Sequence, residues 1–252
     1  KGKECLQINN LSFKPLDPFG IPIKNLNLKL HHGEIIGIGG VAGNGQEEFL
    51  SLLSGELKPS NGSLFFNDED ITKLNVVERR NKGLLSAPEE RLGHAAVPAM
   101  SLTENCLITA EHRMKLSKRG LIDYRNSKNL SEKIIKKLDV RTSGSDALAR
   151  SLSGGNLQKF VIGRELIQNP KIFIVNQPTW GVDAAAASSI RQQILDLAKE
   201  GKGIIVISQD LDELLEISDV FYALVGGQLS SPEITNELNP SRLGMLISNS
   251  TE

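Results

Sequence analysis

The sequence predicts an α/β protein built on a largely parallel sheet, with a helical segment inserted in its middle. Three observations carry that expectation. Short apolar runs of strand length alternate with stretches of helical periodicity along most of the chain. A glycine-rich turn, Gly37 to Gly45, separates the first apolar run from the first helix. The middle, about residues 88–155, carries helical rather than strand patterning.

Residues 34–38 (EIIGI) form an apolar run ending in glycines, the pattern of a short buried strand. Gln46–Ser54 then places Phe49, Leu50, Leu52 and Leu53 at helical spacing. Strands are expected at 62–66 (GSLFF) and 83–87 (GLLSA). Helices follow at Thr103–Ala110, Tyr124–Leu138 and Asn156–Ile167. Lys171–Val175 reads as a strand, Ser188–Glu200 as a helix, and Gly203–Ser208 and Val220–Val225 as two further strands. Residues 226–252 are polar and turn-rich and fit no element. The chain has no internal repeat, heptad run or low-complexity tract.

The 252 residues suffice for one large domain or a core with a smaller lobe, and a hydrophobic content of 39% suffices to pack it. With 29 basic against 30 acidic residues, no net field draws the chain to nucleic acid or anionic lipid. Cys5 and Cys106 stand apart, without C-x-x-C spacing, which points to a reducing compartment and away from structural zinc. The start, KGKECLQINN, lacks the apolar core of a signal peptide, and no run approaches the ~20 apolar residues of a membrane span. The expectation is a cytosolic protein, and a start without Met points to a piece of a longer polypeptide. His31, His32, His94 and His112 show no ligand spacing and read as surface residues. Lys133, Lys136 and Lys137 read as a solvated helix face.

Four segments concentrate the chemistry. Gly40-Val41-Ala42-Gly43-Asn44-Gly45 has the glycine frame of a phosphate-binding loop, G-x-x-x-x-G-K-[ST], between a strand and a helix as that loop requires. Gln46 stands where its lysine belongs, and Glu47 where its serine or threonine belongs. In Leu152-Ser153-Gly154-Gly155-Asn156, Ser153 can cap a helix, and the glycines let backbone N–H groups approach an anion. Third, Lys171–Val175 runs into Asn176-Gln177-Pro178-Thr179-Trp180-Gly181-Val182-Asp183. The fourth segment is Ile207-Ser208-Gln209-Asp210-Leu211.

Together these segments resemble the ATP-binding cassettes of ABC transporters. Leu152–Asn156 is similar to the signature L-S-G-G-x in its sugar-importer form. Asn176–Asp183 resembles D-E-P-T-x-G-L-D, a Walker B with both carboxylates turned into amides and an intact D-loop ending at Asp183. Ile207–Leu211 resembles the switch I-S-H-D, with Gln209 for histidine. The gap from Gly155 to Asn176 is 21 positions, as in the family, and the resemblance covers nearly the whole chain. It is sharpest to the degenerate second half of the two-in-one ATPases of bacterial simple-sugar and nucleoside importers. Those halves carry G-V-x-G-N-G-Q and Q-P-T at these places, and a P-E-D-R similar to Pro88-Glu89-Glu90-Arg91; the G-N-G-Q form leans to the nucleoside branch.

The resemblance implies a single nucleotide-binding domain over 1–252: a P-loop NTPase (RecA-like) core at about 1–87 and 156–230, with an N-terminal antiparallel β part. A helical subdomain at about 88–155 and a tail at about 231–252 complete it. It implies ATP with Mg2+ as ligand, bound weakly at the chain's own site and shared through a signature presented in trans. Gly40, Gly43, Asn44, Gly45, Gln46, Glu47 and Asn176 would form the chain's own site, with no competent catalytic residue because Gln177 and Gln209 replace the base and the switch. Leu152, Ser153, Gly154, Gly155 and Asn156, with Asp183 of the D-loop, would complete the site of a competent partner domain, the other half of the same polypeptide. Glu89 and Arg91 would face transmembrane permease subunits. A substrate-binding protein takes part indirectly and nucleic acid does not, and the chain would lie at the cytoplasmic face of the plasma membrane. Phe13 and Phe19 fall near the family's adenine-stacking position, with an ordinary packing role preferred for both, as for Trp180 at a domain interface. The alternative is a soluble ABC-type protein acting on nucleic acid or the ribosome; the coiled-coil inserts, zinc cysteines or basic linkers expected of one are missing from this sequence.

A lysine–phosphate contact is worth about 1.5–3 kcal/mol, so losing it weakens binding roughly ten- to a hundredfold. A Glu47 carboxylate ~4 Å from a phosphate, at an effective dielectric of ~20, adds about 4 kcal/mol of repulsion unless a cation intervenes. Gln177 cannot take a proton from water, and Gln209 cannot titrate near neutral pH.

Overall fold

The computed structural model of the chain describes residues 2–248, and all elements are of those residues. In chain order the strands are β1 (Glu4–Phe13), β2 (Ile23–His31), β3 (Ile35–Gly39), β4 (Asn61–Phe66), β5 (Glu69–Asp70), β6 (Leu84–Ala87), β7 (Ser117–Lys118), β8 (Leu121–Ile122), β9 (Ile172–Asn176), β10 (Gly203–Ser208), β11 (Val220–Val225), β12 (Gln228–Leu229) and β13 (Glu233–Ile234). The α-helices are α1 (Gln46–Ser54), α2 (Val76–Lys82), α3 (Leu102–Ala110), α4 (Tyr124–Lys137), α5 (Gly154–Leu166), α6 (Ala184–Lys199), α7 (Leu211–Ile217) and α8 (Pro240–Ser248). The chain folds as two compact units. One takes in the N-terminal part through Ser86, Lys171–Gln177, and the C-terminal part from Ile194; the other is Ala87–Pro170 with Pro178–Gln193.

In the first unit every residue of β3, β9 and β10 is buried. Continuous apolar runs of this kind belong to parallel strands covered on both faces. They form the middle of a sheet ordered β12-β11-β3-β10-β9-β6, in which β11, β3, β10 and β9 run parallel. A second, antiparallel sheet is ordered β2-β1-β4-β5. Along β2, Ile23, Leu26, Leu28 and Leu30 turn inward while Lys24, Asn25, Asn27 and Lys29 face out, the pattern of a sheet with one buried face. Its inner residues, among them Leu6, Ile8 and Leu28, share one cluster with Phe49 and Leu53 of α1 and with Ile36, Ile174 and Ile205 of the parallel sheet.

Arg79 of α2 is 1% exposed, and nothing in the sequence pattern singles it out. Its guanidinium donates to four carbonyls, of Leu52 at 2.6 Å, Leu53 at 2.9 Å, Thr72 at 3.0 Å and Leu74 at 3.0 Å. The first two are at the C-terminal end of α1, where the last carbonyls of a helix lack intrahelical donors. Burial pulls the Arg79 pKa down to about 10, so it stays cationic at neutral pH.

In the second unit α3, α4 and α5 pack around Leu102, Cys106, Ile134, Leu138 and Phe160. Arg164, on α5, is paired with Glu165 at 2.9 Å and also donates to the carbonyls of Asn105 at 3.1 Å and Ala95 at 2.8 Å. Burial pushes the thiols of Cys5 and Cys106 up to about 12.

Several boundaries differ from the sequence reading, two of them for a capping reason. α5 starts at Gly154, not Asn156, because Ser153 is its N-cap. α6 starts at Ala184, ahead of the expected Ser188, because the Asp183 carboxylate accepts from the Ala186 N–H at 2.9 Å. The helical unit runs past residue 155 through α5 because that helix belongs to its core. β1 and β2 have no counterpart in the pattern-based reading, and the antiparallel part expected from the resemblance is present. The tail holds β12, β13 and α8, and residues 249–252 lie outside the described residues. His112 is exposed as expected, but His31, His32 and His94 are half-buried: His31 Nδ1 is 2.7 Å from Glu34 Oε2, and His32 Nδ1 is 3.0 Å from the Gly201 carbonyl. Among the described residues no helix is long and apolar enough to cross a membrane.

Arg79→Met keeps the apolar stem but strips four buried carbonyls of their donor. It should lower the unfolding free energy by about 3–5 kcal/mol, read from urea denaturation; a loss under about 1 kcal/mol would refute its role as an anchor.

Candidate functional site

Strand register assembles the first half of the site. β3 and β10 pair Gly39 with Ser208, and β10 and β9 pair Ile207 with Asn176. Gly40, Gln177 and Gln209 therefore leave three adjacent parallel strands at one edge. In open α/β sheets ligands bind beyond the carboxyl ends of the strands.

The glycine loop runs from Gly40 to Gly45 and opens α1. Gly43 and Gly45 take φ of +79° and +103°, values that favour glycine. No side chain caps the first turn of α1. Gln46 folds back into the loop: its Oε1 accepts from the Asn44 N–H at 2.9 Å and its Nε2 donates to the Val41 carbonyl at 2.9 Å. The Asn44 side chain donates to the same carbonyl at 2.7 Å and accepts from Gly226 N–H at 2.8 Å. The Asn44 carbonyl accepts from Gly227 N–H at 3.0 Å. Glu47 is exposed on the first turn, while Glu48 accepts the Ile21 N–H at 2.9 Å.

Beside the loop lies a buried polar cluster. Asn176 and Gln177 are 3% and 5% exposed, so neither replaced carboxylate position faces bulk water. The Asn176 Oδ1 is buried without a hydrogen-bond partner. Gln177 sits at φ +52°, a conformation uncommon for residues other than glycine. Its Oε1 accepts long bonds of 3.4 Å from the Ser208 hydroxyl and the Gln209 N–H. The Ser208 hydroxyl also lies 3.1 Å from Glu213 Oε2. Ser208 lies in the fourth sequence segment, whereas Glu213, two residues beyond that segment, carries no sequence signal.

The remaining candidates belong to the second unit. Ser153 caps α5, its Oγ accepting from Asn156 Nδ2 at 2.9 Å and, at a long 3.5 Å, from Asn156 N–H. Asn156 in turn accepts from the Arg141 N–H at 2.8 Å. Leu152 packs on the helical core, and Ser153 and Gly154 are exposed. A Cβ on Gly155 would stand 3.0 Å from the Gly181 carbonyl, which keeps the helix start against the Trp180–Asp183 segment. Arg91 stitches the same two segments: Nε donates to Gln158 Oε1 at 3.0 Å and Nη2 donates to the Trp180 carbonyl. Gln158 Nε2 reaches the Pro178 carbonyl at 3.3 Å. Burial draws the Arg91 pKa down, and the charge of Glu89 opposes that shift. The Asp183 carboxyl is held below the usual range, chiefly by the Ala186 N–H. Glu89 is exposed, and so is Trp180, at 62%. Phe13 packs partly buried on the first unit's core, and Phe19 is 91% exposed.

As it stands, the Gly40–Gln46 loop does not fit a Mg-nucleotide. It carries no cationic side chain, the Asn44 N–H is already bonded to Gln46, and the buried Asn176 oxygen is neutral.

Residues 23–180 match the family model described as ABC transporter. The nucleoside import ATP-binding protein NupA of Lactococcus lactis subsp. cremoris is 34% identical over 96% of this chain and 48% of that protein. The guanosine import ATP-binding protein NupO of Bacillus subtilis is 31% identical over 100% of this chain and 49% of that protein. Thus the chain spans about half the length of the curated relatives it matches. Among solved structures, a nucleotide-free ATP-binding cassette from an ABC transporter superposes with a TM-score of 0.74 at 23% identity, over 98% of this chain and 96% of that one. A dimeric cassette bound to ADP and Pi gives 0.76 at 21% identity, over 92% and 100%. At such identities the likeness shows the fold, the α/β P-loop NTPase fold.

Asn176→Asp restores a carboxylate in a buried place with no partner. Burial raises the folded-state pKa of such an acid above its unfolded value, so the cost is absent at acid pH and grows as pH rises through the unfolded pKa of about 3.9. The variant should lose about 3 kcal/mol against the parent at pH 7 and little at pH 3.5. Equal losses at both values, in paired denaturation curves, would contradict the burial argument.

Proposed function

Since the chain belongs to the ABC transporter family, we propose that it is the degenerate nucleotide-binding domain of a bacterial importer of simple sugars or nucleosides. In this reading it does not hydrolyse ATP at its own loop. It lends its signature to a competent cassette, and a length about half that of the curated relatives supports a partner cassette on the same polypeptide. Permease subunits would hold the pair at the cytoplasmic face of the membrane, with a substrate-binding protein acting through them.

One contrast carries the proposal. Four positions that would do chemistry on a nucleotide held by this chain carry uncharged amides, Gln46, Asn176, Gln177 and Gln209, and Glu47 puts a carboxylate where a hydroxyl belongs. The helix start at Ser153–Asn156 keeps its exposed capped glycines, braced from behind by Gly181 and Arg91. A helix N-terminus of this kind favours an anion through its amides and dipole. The two glycines also admit the close approach of Arg91 and of the Gly181 carbonyl to this start. What these residues do is orient: Ser153 sets the first turn, Asn156 fixes Ser153, and Arg91 with Gln158 holds the Trp180–Gly181 backbone alongside. In the competent site, hydrolysis is phosphoryl transfer governed by positioning and electrostatics.

Ser153→Arg places a bulky side chain over that helix start and should abolish ATPase activity of the reconstituted transporter. Gln209→Ala, at the exposed switch position, should leave most of it. Comparable losses from both changes, or none from Ser153→Arg, would defeat the asymmetric reading. Charge repair gives a second check. Gln46→Lys with Glu47→Ser should tighten Mg-ATP binding to the isolated chain at least roughly tenfold, and calorimetry showing low-micromolar affinity in the parent chain would count against it.

A further inference from the structure

We infer that Gln46 is more than a missing lysine: its carboxamide is the internal ligand of the glycine loop and holds that loop shut against phosphate. The inference rests on reading Gly40–Gly45 as a phosphate loop, and it adds what occupies that loop and what keeps it closed.

A phosphate loop works by converging successive backbone N–H groups on an anion. Here one of them is taken. The Asn44 N–H donates to Gln46 Oε1 at 2.9 Å, while Gln46 Nε2 donates to the Val41 carbonyl at 2.9 Å. Only a side chain with both an acceptor and a donor closes this ring; a lysine ammonium has three donors and no acceptor. With Asn44 Nδ2 at 2.7 Å, the Val41 carbonyl has two donors, one for each of its lone pairs. Gly40 makes room for the fold-back, since a Cβ there would stand 3.2 Å from Gln46 Nε2 and 2.4 Å from the Leu224 carbonyl.

The closed loop is also moored. Asn44 takes the N–H groups of Gly226 and Gly227 on its side-chain and main-chain oxygens, at 2.8 and 3.0 Å. Gly227 then accepts from Lys24 N–H at 2.9 Å, at the start of β2. A Cβ on Gly227 would lie 1.8 Å from the Pro22 carbonyl, so the turn is fitted to this contact. An entering phosphate would have to evict the Gln46 amide and leave part of this network unsatisfied. The loop thus serves as a tie between the antiparallel sheet and the β11–β12 turn.

The test uses the isolated chain, with inorganic pyrophosphate plus Mg2+ as probe and hydrogen exchange at the Asn44 amide as an independent readout. In the parent chain that amide should be protected. In Gln46→Ala it should exchange freely, and pyrophosphate should bind about fivefold tighter, the equivalent of one net hydrogen bond. Gln46→Met, which keeps the bulk but not the amide, should behave like Gln46→Ala, and thermal melts verify that both fold. An unprotected Asn44 amide in the parent chain overturns the inference. So does a Gln46→Ala variant that binds pyrophosphate no more tightly, or a Gln46→Met variant that behaves like the parent, which would make bulk rather than hydrogen bonding the cause. Ser153→Arg in the assembled transporter reads the trans role separately, so either idea can fail alone.

Discussion

The structure depends on one constraint, the complete burial of three short parallel strands. β3, β9 and β10 expose none of their residues, and a sheet covered on both faces satisfies its polar backbone only by pairing in fixed register. That register delivers Gly40, Gln177 and Gln209 side by side. The site is a consequence of how the core closes. An exposed loop cluster would have had no comparable reason to stay assembled.

The glycine loop is bonded internally. A backbone N–H withdrawn from water is costly unless it finds an acceptor. Gln46 supplies one to the Asn44 N–H, and the Asn44 and Gln46 side-chain amides both donate to the Val41 carbonyl. At Asn176 the side-chain oxygen stays buried with no partner among the described residues. In the second unit the polar residues serve a different end. Arg91 and Gln158 bond to each other and to the Trp180 and Pro178 carbonyls, and Ser153 bonds to Asn156, which fixes a helix start relative to the segment at Trp180–Asp183.

Large parts of this were legible in the sequence. The apolar runs that became β3, β9 and β10 could be read within one residue of their ends, because they are short, rich in Ile and Val, and bounded on at least one side by glycine or proline. Gln46–Ser54 was legible for the opposite reason, its apolar positions following helical spacing after a glycine stop. Helix starts were read late at α5 and α6, because Ser153 and Asp183 act through caps that composition alone does not separate from turns. β1 and β2 went unread as pattern, although β2 alternates and lies between Pro22 and Gly33.

The sequence by itself determined the fold class and the family, since these depend on local periodicity and on motifs contiguous along the chain. Only the tertiary structure decided how the side chains of those motifs bond. That Asn44 is tied to Gly226 and Gly227, that Arg91 holds the start of α5 to the Trp180 carbonyl and that Arg79 closes the end of α1 are contacts between segments distant in sequence, whereas the Gln46 fold-back spans only two to five residues. Side-chain amides and guanidinium groups can bond in many directions, and only the packed core selects one.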